Sequence, residues 1–221
     1  MSGAKSASMS GVKRKRDPSK PERGESKSKS RRKSPSDDGE DIQTEIVQLE
    51  KQILESRKHY NNIATLLQRA KQADAENEGP ILAAVALCRV FSRLLVTGDM
   101  VKSKGMSEAE GVIVSWLKER YRELCDVLID DFLRSEHPPK QSVALTLVMR
   151  LVKEEAKSSK DYKIKNGPLP RLIRVLLCLP LDDLNREEFA EKYLKQFDDI
   201  RYQTFQTIKY VPTPAELRSI Y

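Results

Sequence analysis

Apolar side chains recur every three or four residues from about residue 41 to residue 210, which is the spacing of one face of an α-helix. The first series covers residues 41–73 and only Ser56 interrupts it, so it predicts one long amphipathic helix. The next predicted helix begins at Gly79-Pro80 and ends at Gly98, and its apolar faces indicate a central position. Further helices are predicted over residues 107–134, 139–157, 169–180 and 182–210.

Several residues have predicted roles within these helices. Ser107 and Glu110 fit a capping box at the start of the third helix. That helix is expected to bury one broad face with Trp116 as a core anchor, and the face comprises Val112, Ile113, Trp116, Leu117, Leu124, Val127, Leu128 and Phe132. Arg89 and Arg93 share one face, which predicts a solvated strip, with a neighbour's carboxylates or RNA phosphates as the alternatives. The last helix carries an apolar series rich in aromatic residues, from Phe189 to Phe205.

No run of alternating β-branched residues with hairpin turns occurs, so the predicted class is all-α. Helix pairs at an interval near 40 residues suggest an irregular, HEAT-like helical repeat, an α-solenoid. The predicted domains are a disordered tail over residues 1–40, a helical repeat over residues 41–211 and an irregular end over residues 212–221.

The longest mainly apolar stretch, Ile81 to Val96, is interrupted by Arg89 and Arg93 and is shorter than the roughly 20 residues of a membrane helix. Cys88, Cys125 and Cys178 lie among apolar helical residues, so core packing is expected for all three rather than disulfide bonding. A soluble protein of a reducing, intracellular compartment is therefore predicted.

Charged residues are distributed unevenly along the chain, and this separates a basic tail from a nearly neutral body. The whole chain has 40 Lys and Arg against 33 Asp and Glu, a net charge of +7. Residues 1–36 hold 12 basic and 3 acidic residues, a net of +9, which leaves −2 for the remaining 28 basic and 30 acidic residues. A uniformly basic nucleic-acid-binding domain is thereby excluded, and the serine-rich tail is expected to be disordered.

The tail contains two basic clusters, which are Lys13, Arg14, Lys15 and Arg16, and then Arg31, Arg32 and Lys33. They predict binding to a nuclear import receptor, with a solubilising role as the alternative. Ser34 precedes Pro35 and is a possible phosphorylation site that would reduce the positive charge. The same charges suit RNA phosphates, so a sequence-independent RNA-binding module is the alternative function.

Catalysis is the least favoured class. His59 and His137 are expected to be solvated and are too few for a metal site, and no phosphate-binding glycine motif occurs. Acidic pairs such as Glu154-Glu155 point about 100° apart on a helix, which disfavours a paired catalytic site. We therefore predict no catalytic residue, metal, cofactor, small-molecule substrate or membrane partner.

Three stretches carry a resemblance to a known family: AAVALCRVFSRLLVTGDMV, VSWLKERYRELCDVLIDDFLRSEHPPKQSVALTLVMRLVKEE and FDDIRYQTFQTIK. They resemble the N-terminal half of nucleolar complex protein 4, a family of CCAAT-binding-factor-like ribosome biogenesis proteins. The resemblance implies a helical scaffold in the nucleus and nucleolus, within the small-subunit processome. There it implies partnership with nucleolar protein 14 and other processome proteins, and a role in pre-rRNA processing and small-subunit assembly.

The final stretch, VPTPAELRSIY, does not resemble the continuation of that family, so the chain is expected to be truncated relative to it. Direct contact with nucleolar protein 14 is a weaker expectation for this reason. An adapter for cytoplasmic transport, built on the same helices, is the third reading.

Overall fold

The computed structural model describes residues 35–72, 78–159, 167–179 and 184–209, with side chains from residue 41 onward. The predicted disordered tail and the predicted irregular end at residues 212–221 lie outside these ranges. Eight α-helices occur within the described ranges: α1 Pro35–Glu55, α2 Asn62–Ala70, α3 Gly79–Thr97, α4 Glu108–Asp126, α5 Pro138–Ser158, α6 Pro168–Cys178, α7 Leu184–Phe189 and α8 Asp198–Lys209.

The helices form two layers, because most helices pack beside the helix two places further along the chain, while α6 packs beside Val127–Phe132, the turn that continues α4. The odd-numbered layer contains the contacts α1–α3, α3–α5 and α5–α7, and the even-numbered layer contains α2–α4 and α6–α8. Consecutive helices connect the layers, most extensively α2 with α3. This arrangement is that of a helical solenoid, in which each new helix covers the exposed faces of the two before it.

One continuous hydrophobic core runs between the layers, from Ile46 in α1 to Ile200 in α8. The largest fully buried side chains are Phe91, Ile63, Leu66, Leu67, Leu87, Leu117, Leu124, Leu128, Ile129, Leu133, Leu145 and Leu151. The predicted central helix is confirmed as α3, which ends at Gly98 with φ of 78°, a left-handed conformation that favours glycine. Among the described helices, α3 has the length and hydropathy of a membrane span, and 61% of that apolar window is buried inside the fold.

The single long helix predicted over residues 41–73 is wrong. The helix ends before Ser56, which has an extended backbone. The Ser56 hydroxyl accepts from the Lys58 amide and caps a short 3-10 turn, Arg57–His59. Helices α1 and α2 then run antiparallel as a hairpin. Two hydrogen-bonded side-chain pairs show this arrangement. Asn62 donates to Gln52, and these two residues lie five positions either side of Arg57. Arg69 donates to Glu45, and these two lie twelve positions either side.

Helix α4 begins at the predicted capping box, with Ser107 accepting from the Glu110 amide and Glu110 accepting from the Ser107 amide. It continues as a π-helical turn, Val127–Phe132, which the sequence pattern did not predict. Val112 and Ile113 were predicted to be buried and are exposed, because the buried face begins at Val114. Trp116 is half-buried at the edge of the core, with the Arg120 guanidinium 5.7 Å from its ring centre.

The last predicted helix, residues 182–210, is also interrupted. Helix α7 continues into a π-helical turn, Ala190–Leu194, and a break at Lys195–Phe197 separates it from α8. Within the apolar series predicted for this region, Phe189 and Ile200 are buried, whereas Phe197, Tyr202 and Phe205 are exposed.

Candidate interaction surfaces

Helix α8 turns two threonines toward the core, beside Ile200, and two aromatic residues toward solvent. Ile200, Thr204 and Thr207 are buried, with the hydroxyl groups of both threonines donating to α8 carbonyl oxygens 2.8 Å away. The inward hydroxyls therefore need no partner from another helix. We call Tyr202, Phe205 and Ile208 the outward face, and they are 61%, 60% and 41% exposed.

The sequence contained a signal for this arrangement. Ile200 and Tyr202 are two residues apart and therefore point in nearly opposite directions from a helix. The apolar residues of α8 thus cannot all face one core, and the threonines at positions 204 and 207 share a face with Ile200. The apolar series was described from the sequence without dividing it into buried and exposed residues.

A groove of about 690 Å³ lies between α5 and the start of α8. Arg150 and Lys153 are exposed on its α5 wall, while Tyr193 and Phe197 line the other side. Lys157 and Glu154 also line the α5 wall, and Asp199 lines the other side, so the groove contains charges of both signs beside aromatic rings. Such a groove suits a charged segment of a partner that also presents an apolar side chain.

A second cavity, of about 540 Å³, lies between α4, α5 and α6 and is lined by the half-buried carboxyl group of Glu155. The Tyr121 hydroxyl donates to Glu155 Oε1 over 2.7 Å. Burial raises the pKa of Glu155 above its usual value of 4.5, and the Tyr121 hydrogen bond partly opposes this shift. A side chain at Gly167 would collide with the same carboxyl group, so a larger residue there would require the Glu155 side chain to move.

Salt bridges join the helices around these cavities. Arg171 of α6 pairs with Asp126 at the end of α4 and with Asp130 in the π-helical turn. Arg89 and Arg93 are both exposed, as the predicted solvated strip requires. Arg89 also binds both carboxylate oxygens of Glu50 in α1, at 2.7 and 2.6 Å, so the alternative of a neighbour's carboxylates holds for this residue as well.

The cysteines divide into two groups. Burial raises the pKa of the Cys88 thiol to about 11 and that of the Cys125 thiol to about 12, so both remain neutral packing groups at physiological pH. The expectation of core packing is confirmed for these two and wrong for Cys178, which is exposed near the end of α6. The reason is that Cys178 occupies the last residue of α6, beyond the helix's buried stripe.

Other predicted residues are placed as follows. His59 is exposed as expected, whereas His137 is half-buried with its Nδ1 atom enclosed, so the prediction of a solvated His137 is wrong. Glu154 pairs with Lys157 while Glu155 turns inward to Tyr121, so these two carboxylates point apart. In the described part of the chain, no three His, Cys, Asp or Glu side chains come together in a way that would hold a metal ion.

The tail residues predicted to act in import or phosphorylation lie outside the described ranges. They are Lys13, Arg14, Lys15, Arg16, Arg31, Arg32, Lys33 and Ser34. The described body thus contributes a different set of candidate surfaces, namely the outward face of α8, the groove between α5 and α8, and the cavity around Glu155.

Two layers of packed helices with such exposed faces define an α-helical repeat protein. The model of the nucleolar complex protein 4-like family, described as TPR repeats, matches residues 36–216. The chain belongs to this family. The resemblance seen in the sequence and the all-α helical-repeat class are thereby confirmed, and the family description names the repeats as TPR.

A protein of Schizosaccharomyces pombe, described as uncharacterized, is 29% identical over 168 residues. The matched part covers 75% of this chain and 35% of the relative, so the chain spans about a third of the relative's length. No solved structure matches the chain significantly.

Proposed function

We propose that this chain is a non-catalytic helical scaffold in ribosome biogenesis, a component of the small-subunit processome that supports pre-rRNA processing and small-subunit assembly. The observation that supports it is the match to the nucleolar complex protein 4-like family over residues 36–216, which includes every described helix except for Pro35, the first residue of α1. The geometry is consistent with this role, because the helices offer apolar and charged surfaces for protein partners.

The proposed partners are processome proteins, with nucleolar protein 14 among them. The groove between α5 and α8 is the proposed contact, since Arg150 and Lys153 are exposed cations beside aromatic rings. To test it, the tagged full chain is crosslinked in nucleoli and its neighbours are identified by mass spectrometry.

Recovery of small-subunit assembly factors is expected, and recovery of none would contradict the proposal. Reversing the groove charges with Arg150→Glu and Lys153→Glu should reduce that recovery. The matched control reverses two exposed loop cations, Lys102→Glu and Lys104→Glu, and should leave recovery unchanged.

We further propose that the two basic clusters direct the chain to the nucleus and nucleolus by binding an import receptor. Replacing all seven residues Lys13 to Arg16 and Arg31 to Lys33 with alanine should move a fluorescently tagged chain to the cytoplasm. The control replaces four isolated tail cations, Lys20, Arg23, Lys27 and Lys29, and should keep the nuclear signal. An unchanged distribution of the cluster variant would disprove the import role, and cytoplasmic residence of the intact chain would favour the transport-adapter reading.

The alternative is a sequence-independent RNA-binding module that acts through the tail. The net charge of +9 over residues 1–36 favours it, because Lys and Arg release counterions from phosphates when they bind. Affinity for a mixed-sequence RNA should fall steeply with salt, and deleting residues 1–36 should remove that dependence. No binding of the full chain at low salt would eliminate this alternative.

A further inference from the structure

A row of exposed apolar residues on α8 begins at the groove between α5 and α8. Phe197 lines that groove, and its carbonyl oxygen accepts from the Arg201 amide over 3.0 Å, which places it one turn before Arg201. Phe205 and Ile208 follow at further steps of four and three residues, so these four residues lie along one side of the helix, and we call them the α8 stripe. Its three apolar members are 48%, 60% and 41% exposed, and the stripe is about 16 Å long at a helical rise of about 1.5 Å per residue.

Free positive charge lies at one end of the α8 stripe. Arg201, within the stripe, donates to two backbone carbonyl oxygens that precede α8, and it pairs with Asp198 at 2.9 Å. At the groove end, Arg150 and Lys153 of α5 are exposed and form no hydrogen bond or salt bridge with any described residue. These two cations are therefore available to a ligand, whereas Arg201 is already held.

The other charged side chains that are described in the groove have partners. Glu154 pairs with Lys157 at 3.1 Å within α5. Asp199 accepts from the backbone amide of the next residue over 2.8 Å, and it lies in the first turn of α8, where the helix dipole stabilises a carboxylate. The charge that a ligand would neutralise is therefore that of the two free cations, and carboxylates are the groups that match it.

We propose that the groove and the α8 stripe together bind an amphipathic helix of a partner protein. Its apolar side chains cover the stripe, and its carboxylates, at one end, meet Arg150 and Lys153. A single row of apolar residues at steps of four and three is the pattern against which another helix packs. This inference names the chemistry of the partner contact proposed above for the groove, and it rests on that proposed function.

Two other occupants match these charges less well. A single-stranded RNA has a phosphate at every nucleotide, whereas the α8 stripe beyond the groove contains no free cation, because Arg201 is held by Asp198. A twofold pairing of two copies would bring the Arg150 end of one stripe either to the same end of the other or to its Lys209 end. Cations would face cations in both cases.

Site-specific photo-crosslinking of the full chain tests the proposal. Tyr202, which is 61% exposed beside the stripe, is replaced by photoreactive benzoylphenylalanine, which keeps an aromatic ring at this position. Cells that express the chain are irradiated, and the crosslinked peptides are identified by mass spectrometry. We expect a segment of another protein in which apolar residues recur every three or four positions and Asp or Glu residues lie near one end.

Charge exchange then tests the contact itself. Reversing Arg150→Glu and Lys153→Glu together should reduce the crosslinked yield about tenfold, and changing the carboxylate residues of the captured segment to lysine should restore it. The matched control reverses two exposed loop cations, Lys102→Glu and Lys104→Glu, and should leave the yield unchanged.

A second pair of variants tests the apolar part of the contact. Phe205→Ser removes a ring from the stripe and should reduce the crosslinked yield about tenfold, because aromatic anchors carry much of the binding energy of such contacts. Val112→Ser changes a residue of α4 that is 63% exposed, and it should have no effect. Urea midpoints close to that of the native chain would show that each variant is folded.

A crosslink to RNA, to a second copy or within the same chain would overturn the proposal. A captured segment without carboxylates, a yield unchanged by charge reversal, or a yield no greater than with the photoreactive residue at position 112 would also overturn it. The proposed function fails separately, when crosslinking of the whole chain recovers no small-subunit assembly factor. Recovery of those factors without capture at position 202 would overturn this contact alone.

Discussion

At the scale of single residues, the half-buried carboxyl group of Glu155 makes the stability of this fold depend on pH. The Tyr121 hydroxyl donates to it, and burial raises its pKa above 4.5. In the unfolded chain the carboxyl group regains its ordinary pKa, so the folded state keeps its proton to higher pH than the unfolded state does. Stability from this group is therefore present at low pH and is lost as pH rises through the raised pKa.

Glu155→Gln is expected to stabilise the fold at neutral pH, because glutamine offers Tyr121 the same acceptor without a buried charge. The variant and the native chain should have similar free energies of unfolding near pH 4 and should diverge as pH rises to 7. Urea unfolding at a series of pH values measures this difference. Glu154→Gln is the control, since Glu154 pairs with Lys157, and a pH-independent difference for Glu155→Gln would contradict the prediction.

The sequence predicted some of these residues better than others. The sequence placed Arg89 on a helix face that could meet the carboxylates of a neighbour. Its partner Glu50 is 39 positions away, so no local pattern identifies it. Tyr121 was not selected, and Glu155 was considered only as half of an acidic pair, because a hydrogen bond between two helices leaves no spacing signal along the chain. The same reason applies to Cys178, whose exposure depends on where α6 ends relative to its neighbours.

At the scale of helices and turns, local chemistry decided where several elements begin and end. Ser107, Glu110 and Gly98 act through contacts within four residues of themselves, and all three were read correctly from the sequence. Ser56 was noticed as an interruption but was placed inside a helix, because one polar residue in a long apolar series is usually tolerated. Its hydroxyl instead turns the chain into the α1–α2 hairpin.

Ser107→Ala should lower the free energy of unfolding by about 1 kcal/mol, the usual contribution of an N-cap side chain. The reason is that the Glu110 amide loses its acceptor at the start of α4. Chemical denaturation measures the change. Ser115→Ala is the control, because this exposed serine in the same helix only donates to the Gly111 carbonyl, and an equal loss in both variants would argue against a specific capping effect.

At the scale of the whole molecule, stability comes from the continuous core between two layers of helices. Helix α3 is the centre of that core, with contacts to α1, α2, α4 and α5. Within its own layer, the Cys88 thiol of α3 donates to the Leu147 carbonyl oxygen of α5 over 3.7 Å, and between the layers the Phe91 ring meets the Tyr121 ring of α4 edge to face. Its high hydropathy is thus explained by burial within the fold.

Leu87→Ala should destabilise the chain by roughly 2–5 kcal/mol, because Leu87 is fully buried in α3 and its neighbours cannot fill the cavity. The matched control Val112→Ala removes an apolar side chain that is 63% exposed, and should change stability by less than about 0.5 kcal/mol. Urea midpoints of the two variants compare these effects. Similar losses in both would mean that the core does not lie between the layers as described.

The sequence by itself determined the helical class, the ends of α3 and the start of α4, because these depend on residue spacing and on hydrogen bonds between near neighbours. It also determined the family, through helices whose residues match along nearly the whole body. The charge of the tail likewise required no structure, since it is a property of composition.

Only the tertiary structure decided which apolar residues are buried. Tyr202 and Thr204 show the difference, because burial depends on which side of α8 meets α6, and that is set by packing between helices far apart in sequence. The pairing of Arg89 with Glu50 and the enclosure of Glu155 were decided in the same way. Local patterns report what a helix can bury, whereas the neighbouring helices determine what it does bury.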